Sequence, residues 1–338
     1  MLRISYRRKL FLKKILRIAL IALLALILIT FIVLIYLEPY VTYDRDGAHL
    51  NLSGDKNAVS SELPQQSRPV ISDPQITYGE PVADSNNTGI LSGYYVTTNM
   101  LRKPDKVLAA VKELDEPCAI MLQLKSIFGN FYYSTSIEGT STADADIAQV
   151  DALISYLKSN GFYMIAEVPA FCDPVFALEN QQCGLPIAGG ALWRDENACY
   201  WLDPADEMVL SYLLQIAREL SSLGFQEVVF SEFRFPSSNN IVYSSDLTSD
   251  QLVEAAAEEI TAFFTGSNLT ISFATDDTQF PANACSGHLY IPDVDGSKVE
   301  KYVQAFSDDT NLKGLIFLAN SRDTRFEEQT VLRPLLTQ

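Results

Sequence analysis

From Gly89 onward the chain repeats one pattern: a short run apolar on both faces, then a longer stretch apolar on one face. The runs are ILSGYYVTT (90–98), CAIMLQLK (118–125), FYMIAEVPAF (162–171), FQEVVFSEF (225–233) and LTISFAT (269–275). Between them PDKVLAAVKEL, ADIAQVDALISYLKSNG, ADEMVLSYLLQIARELSSLG and SDQLVEAAAEEITAFF carry helical spacing. Pro104 opens the first helix, Asp203 and Pro204 stand at the start of the third, and Gly161 and Gly224 close the second and third. Strands hidden on both faces and separated by helices imply a parallel sheet wrapped by helices. Residues 90–338 match the roughly 250 residues of a (β/α)8 TIM-like barrel. HLYIPD, VEKYVQAF and LKGLIFLAN extend the pattern more weakly, and VLRPLL is left for an eighth strand, so the C-terminal third is expected to be irregular. A doubly wound open sheet is the alternative, but TTNMLRKPDK after the first strand lacks a glycine-rich phosphate loop.

The N-terminal region has a different texture. Residues 1–17 carry seven basic residues (Arg3, Arg7, Arg8, Lys9, Lys13, Lys14 and Arg17) and no acid. Residues 18–37, IALIALLALILITFIVLIYL, are uncharged and long enough to span a bilayer. No small-residue cleavage pattern follows, which predicts an uncleaved signal-anchor with a cytoplasmic N-terminus and an extracytoplasmic C-terminal domain at the cell membrane. Residues 38–89, rich in Ser, Pro, Asn, Asp and Gln, read as a disordered spacer holding its cargo about 40 Å from the bilayer. Without the seven basic residues, the chain's 25 become 18 against 42 acidic ones. That balance disfavours nucleic acid as a partner.

Five cysteines, Cys118, Cys172, Cys183, Cys199 and Cys285, cannot all pair within one chain. Cys183 with Cys199 is the expected disulfide of an extracytoplasmic loop. The only histidines are His49 and His288, no zinc-type spacing is present, and neither a metal nor a cofactor is expected.

In a parallel barrel the chemistry collects where strands end. The second run ends in Lys125 and the aromatic loop SIFGNFYYS, the third carries Glu167 and then Asp173, the fourth ends in Ser231, Glu232 and Arg234, and the fifth in Asp276 and Asp277. Adjacent strands lie about 4.8 Å apart, so Glu232 with Glu167, or Glu232 with Asp276, fits the paired carboxylates of a glycosidase. Trp193 and Trp201, with Arg194, Asp195 and Asp203, offer apolar faces ringed by polar groups, suited to a pyranose. The alternatives are structural: an ion pair between Glu232 and Arg234, Lys125 as a counter-ion, and tryptophans that merely cover the barrel.

The stretch GFQEVVFSEFRFPS resembles the fourth-strand motif of the glycosidase-like barrel family catalogued as domain of unknown function 4015. GGALWRD, YWLDPAD, IAEVPAFCDPVFA, GYYVTTNML and MLQLK resemble its other segments, over roughly residues 90–240. The resemblance implies a TIM barrel and implicates Lys125, Asp173, Trp193, Arg194, Asp195, Asp203, Arg234 and Pro236. Four positions depart from it. The family's aspartate in the fourth-strand motif is Ser231, its acid after the second-strand lysine is Ser126, and Cys172 and Glu167 replace basic residues. A shift of one strand position swings a side chain to the opposite face. Glu232 therefore takes the aspartate's place only if the strand breaks there.

Three functions remain in view. The first is a membrane-tethered glycoside hydrolase acting on an extracytoplasmic or cell-wall glycan. The second is an inactive barrel that binds a carbohydrate polymer or positions a cell-envelope partner, and the third a tethered scaffold without ligand.

Overall fold

The computed structural model describes Val41–Asp44, Gly47–Leu50 and residues 92–336. The expected basic segment and membrane helix lie outside the described residues, as does most of the spacer. Among the described residues no helix is long and apolar enough to cross a membrane. Inside the stretch read as spacer, Val41–Asp44 and Gly47–Leu50 pair as an antiparallel hairpin. The chain divides into two units, residues 1–84 and 85–338.

The C-terminal unit holds a closed, all-parallel barrel of eight strands. In chain order these are Ser92–Val96, Ala119–Gln123, Tyr163–Pro169, Glu227–Ser231, Thr270–Ala274, His288–Ile291, Gly314–Leu318 and Thr330–Pro334, called here the first to the eighth. The eighth pairs with the first, Leu332 opposite Gly93, and closes the ring. That closure removes the open-sheet alternative. VLRPLL does supply the last strand.

The helices start and stop for local reasons. Pro104 occupies the first turn of Pro104–Lys112, where its missing N–H is not needed. Asp146 caps Ile147–Ser159, and Gly161 follows with φ +75°. The Glu207–Leu223 helix is capped by Asp206, which accepts from the Met208 and Val209 amides, and not by Asp203 as its sequence position suggests. Gly224, left-handed at φ 105°, ends it. Thr248 and Gln251 form a reciprocal capping box on Ser249–Phe263. Beyond the fifth strand the regularity fails. A 3-10 turn at Ala282–Ala284 stands where a crossover helix would be, and another at Thr324–Phe326 leads to the eighth strand.

Alternation along each strand sorts side chains into two cores. Met121, Ile165, Val229, Ala274, Tyr290, Ile316 and Leu332 fill the lumen. Ile120, Leu122, Ala166, Val228, Phe230 and Phe273 face the helices. Residues two positions before or after a lumen residue share its face. At the lower end this rule brings Tyr163, Glu227, Ser272 and His288 together. The buried Glu227 carboxylate accepts from the Ser272 hydroxyl, from Tyr163 at 3.0 Å, and meets His288 Nδ1 at 2.9 Å.

Burial raises the Glu227 pKa, but His288, Ser272 and Tyr163 outweigh it and hold the carboxyl below its ordinary value. A carboxyl lowered in the folded state stabilises above its unfolded pKa, and that contribution disappears as pH falls through the folded value. Glu227→Gln is therefore expected to lower the urea midpoint at neutral pH and to flatten its decline below about pH 4.3, in denaturation series run at several pH values.

Candidate active site

The same two-residue rule decides what stands at the upper end. Gln123, Glu167 and Ser231 lie two positions beyond the lumen residues Met121, Ile165 and Val229, so they point inward where the strands finish. Gln123 is paired with Glu167 in register, and Ser231 with Pro169 one step higher. Desolvation pushes the Glu167 carboxyl up, against hydrogen bonds from Gln123 and Ser231, while Glu232 and Asp293 push it further up. Its Oε2 is buried and has no hydrogen-bond partner among the described residues. The Ser231 hydroxyl thus stands at the lumen end beside Glu167 and opposes the upward shift.

Glu232 follows the last residue of the fourth strand. Alternation would turn it outward beside Phe230. Instead its backbone is left-handed, φ 48°, a conformation that costs a non-glycine residue about 1–3 kcal/mol. The strand breaks there, and Glu232 lines the mouth together with Ser231 and Glu167. Phe233 takes up the burial in its place, packed on Phe171 and Phe273 with ring centroids at 4.5 and 4.6 Å. Asp293, after the sixth strand, has the same left-handed φ of 48°.

The mouth is a cleft of about 960 Å³. Glu167, Ser231 and Glu232 line one part of it, Asp276 and Asp277 another, and Arg102, Asn130 and Phe128 the loops above. Asp276 is exposed, its backbone carbonyl held by the Tyr302 hydroxyl at 3.0 Å. Phe128 is 50% exposed and presents a bare aromatic ring to the cleft.

Arg234 pairs with Glu232 at 3.3 Å, both side chains partly exposed, and its guanidinium lies over the Trp201 ring at 4.5 Å. Trp201 itself is fully buried, and its indole N–H donates to Asp195 at 3.1 Å. It is no platform for a ligand. Its contribution to the mouth is to support Arg234. Asp195 also accepts from the Asn197 and Cys199 amides, which fixes its loop. Trp193 and Arg194 lie in a separate groove of about 490 Å³ with Tyr200, Asn239 and Asn240. Asp203 accepts from Tyr243 and the Ala205 amide, a structural role, and Pro236 is buried. The expectation of both indoles around the acids is therefore corrected: one is covered, and the other faces a neighbouring groove.

Lys125 and Asp173 form a fully buried ion pair at 2.8 Å. Lys125 also donates to the Pro169 carbonyl at 2.9 Å, while Asp173 accepts from Tyr212 and from the Phe176 amide, capping Pro174–Glu179. The pair clamps the ends of the second and third strands. The predicted Cys183–Cys199 disulfide is absent. All five cysteines are free; Cys183 faces Asp206 and Met208, and Cys199 faces the Ile127 carbonyl. Among the described residues one group has donors close enough for a metal ion, Cys172, Asp195 and Cys199, which no sequence spacing indicated. Arg102, Phe128 and Asp293 were also missed. Only Phe128 had a signal, the aromatic loop after Lys125.

A closed eight-stranded barrel whose strand ends collect carboxylates in one cleft is a TIM-like α/β barrel, a fold that hosts many activities. The chain belongs to the family described as "putative glycosyl hydrolase domain", whose sequence model matches residues 93–275, more than half of its length. No curated protein matches it. Among solved structures, a hypothetical protein from Ruminiclostridium thermocellum is 20% identical over 53% of this chain and 96% of that one, with a TM-score of 0.46. The glycoside hydrolase domain of PelA from Pseudomonas aeruginosa is 14% identical over 70% and 86%, with a TM-score of 0.43. A cycloisomaltooligosaccharide glucanotransferase from Paenibacillus sp. is 15% identical over 68% of this chain and 38% of that one, with a TM-score of 0.50. At 15% identity the last of these likenesses speaks for the fold alone, and nothing is drawn from the other two.

Replacing Lys125 by Met would strand the Asp173 charge in the interior, where breaking a buried pair costs about 3–5 kcal/mol. Chemical denaturation of Lys125→Met should show a loss of that size. A loss below about 1 kcal/mol would mean that the clamp carries no weight.

Proposed function

We propose that this chain is a glycoside hydrolase acting on an extracytoplasmic or cell-wall glycan, held at the membrane by residues 18–37. Glu167 is the general acid and Glu232 the nucleophile or base opposite it. The observation that supports this most is the contrast between the two: Glu167 is desolvated and raised, with an unpartnered oxygen, while Glu232 is partly exposed and paired with Arg234. Opposed environments on neighbouring carboxyls separate an acid from a base, which is the division of labour glycoside cleavage needs. Asp276 is exposed, so it is placed with the residues that bind sugar hydroxyls.

In this reading the glycan lies across the cleft with a ring face against Phe128. Glu167 gives its proton to the departing glycosidic oxygen. Glu232 attacks the anomeric carbon or activates a water for that attack. Arg234, steadied by Trp201, orients Glu232. Because Glu167 must carry its proton, turnover is expected to fall as pH rises through its elevated pKa.

Three variants test the assignment by release of reducing ends from cell-envelope polysaccharide. Glu167→Gln should lower kcat by about 10²–10⁴-fold and abolish the alkaline limb of the pH profile. Glu232→Gln should remove turnover, and Phe128→Ala should raise KM more than it lowers kcat. Undiminished turnover in Glu232→Gln would overturn the reading. Saturable glycan binding without turnover in the unaltered protein would leave the non-catalytic barrel. The tether is tested separately: protease added to intact cells should release the barrel unit, and full protection would place it on the inner side.

A further inference from the structure

A second set of functional groups sits beside the mouth, in side chains to which the proposed chemistry gives no step. Cys172 follows the third strand, and Asp195 and Cys199 lie in the excursion before the Glu207–Leu223 helix. Two backbone bonds join these segments, from the Leu202 amide to the Phe171 carbonyl at 2.7 Å and from the Asp173 amide to the Tyr200 carbonyl at 3.1 Å. They make Cys172 and Trp201 a directly opposed antiparallel pair. Cys199, two residues from Trp201, is thereby diagonal to Cys172 on the same face. The two sulfurs and one Asp195 carboxylate oxygen lie within 4.8 Å of one another. Both thiols also point at a single acceptor, the Ile127 carbonyl, at 3.5 Å from Cys172 and 3.3 Å from Cys199. Four donor atoms from three loop segments converge on one point.

Diagonal partners on an antiparallel pair stand about 7–8 Å apart between Cα atoms, beyond the roughly 4.4–6.8 Å that a disulfide spans. Two sulfurs on one tetrahedral ion need only about 3.8 Å between them, given metal–sulfur bonds of about 2.3 Å. The arrangement therefore suits a shared cation better than a covalent bridge. Two soft sulfurs with a carboxylate and a carbonyl oxygen suit a borderline d10 ion at four-coordination. The four donors together fill a tetrahedral shell, which leaves no position for a reacting water.

We propose that Cys172, Cys199, Asp195 and the Ile127 carbonyl form a structural site for a divalent cation of the zinc class. Each thiol loses its proton to solvent as its metal–sulfur bond forms, so binding one ion releases two protons. The ion locks the Ile127 loop, which walls the cleft, and the Asp195 carboxylate, which holds the Trp201 indole beneath Arg234. This site is independent of the sugar-cleaving reading and stands or falls without it.

The test is titration of the metal-stripped full-length chain with Co²⁺, reading sulfur-to-metal charge-transfer absorption, and then displacement by Zn²⁺. The expected result is saturation at one ion per chain, with half-saturation shifting about 100-fold per pH unit as two protons are exchanged. Cys172→Ser and Cys199→Ser should lose the band, and Cys183→Ser and Cys285→Ser should keep it. On the unaltered protein Zn²⁺ should protect Cys172 and Cys199, but not Cys118, from alkylation. That measurement decides the matter if a serine variant fails to fold. Absence of a stoichiometric band in the unaltered chain, a band that survives both serine changes, or a mapped Cys172–Cys199 disulfide in unreduced protein would each overturn the site.

Discussion

Filling the lumen of a closed barrel is the constraint from which the rest follows. Eight parallel strands leave an interior that side chains must pack completely, and the pleat sends every second residue there. Along the middle of each strand only apolar groups such as Met121, Ile165, Val229 and Ile316 meet that demand. Polar side chains enter the lumen at its two ends. At the lower end the Glu227 carboxylate finds Ser272, Tyr163 and His288, although the Tyr290 hydroxyl above it has no partner among the described residues. At the upper end it is a carboxylate, Glu167, that keeps a buried oxygen with no partner among the described residues, and an unpartnered buried carboxyl costs more than an unpartnered hydroxyl.

The fourth strand shows how local backbone strain turns that rule into a site. Continued alternation would have driven Glu232 into the helix-facing core, where an unpaired carboxylate is prohibitively costly. The left-handed break returns it to the cleft, and Phe233 takes the buried place beside Phe171 and Phe273. The strain is offset by aromatic packing on one side and by the Arg234 pair on the other. Ser231 and Glu232 thus divide the strand end between them: the hydroxyl stays beside Glu167 in the lumen while the next residue's carboxylate reaches the rim.

The strands and helices were legible because their signals are local: apolar runs, Pro104 at a first turn, Gly161 and Gly224 at ends. The eighth strand emerged from VLRPLL, although the crossovers beside it contract to 3-10 turns with no periodicity to read. Glu167 and Glu232 could be placed at the cleft from the sequence because strand ends are predictable places. The aromatic partners were misjudged because exposure is a tertiary property. Trp201 looked available from its loop composition, yet Asp195 and Arg234 enclose it, while Phe128, one ring among several, emerged bare. The cysteines failed for a related reason: sequence distance pointed to Cys183 with Cys199, whereas the antiparallel return of the loop brings Cys172 to Cys199.

These pieces connect through contacts that are individually modest. The Asp195 loop holds Trp201, Trp201 supports the Arg234 guanidinium, and Arg234 meets Glu232. On the other side Lys125 and Asp173 tie the second and third strand ends below the Ile127 loop. An exposed pair such as Glu232 with Arg234 contributes little to stability by itself. Its weight comes from geometry, because a carboxylate in a strained backbone conformation holds one direction only if a neighbour holds it there. A cation on Arg234, stacked on a buried indole, loses less freedom on pairing than a free side chain would, so the order of the rim is inherited from the buried loop beneath it.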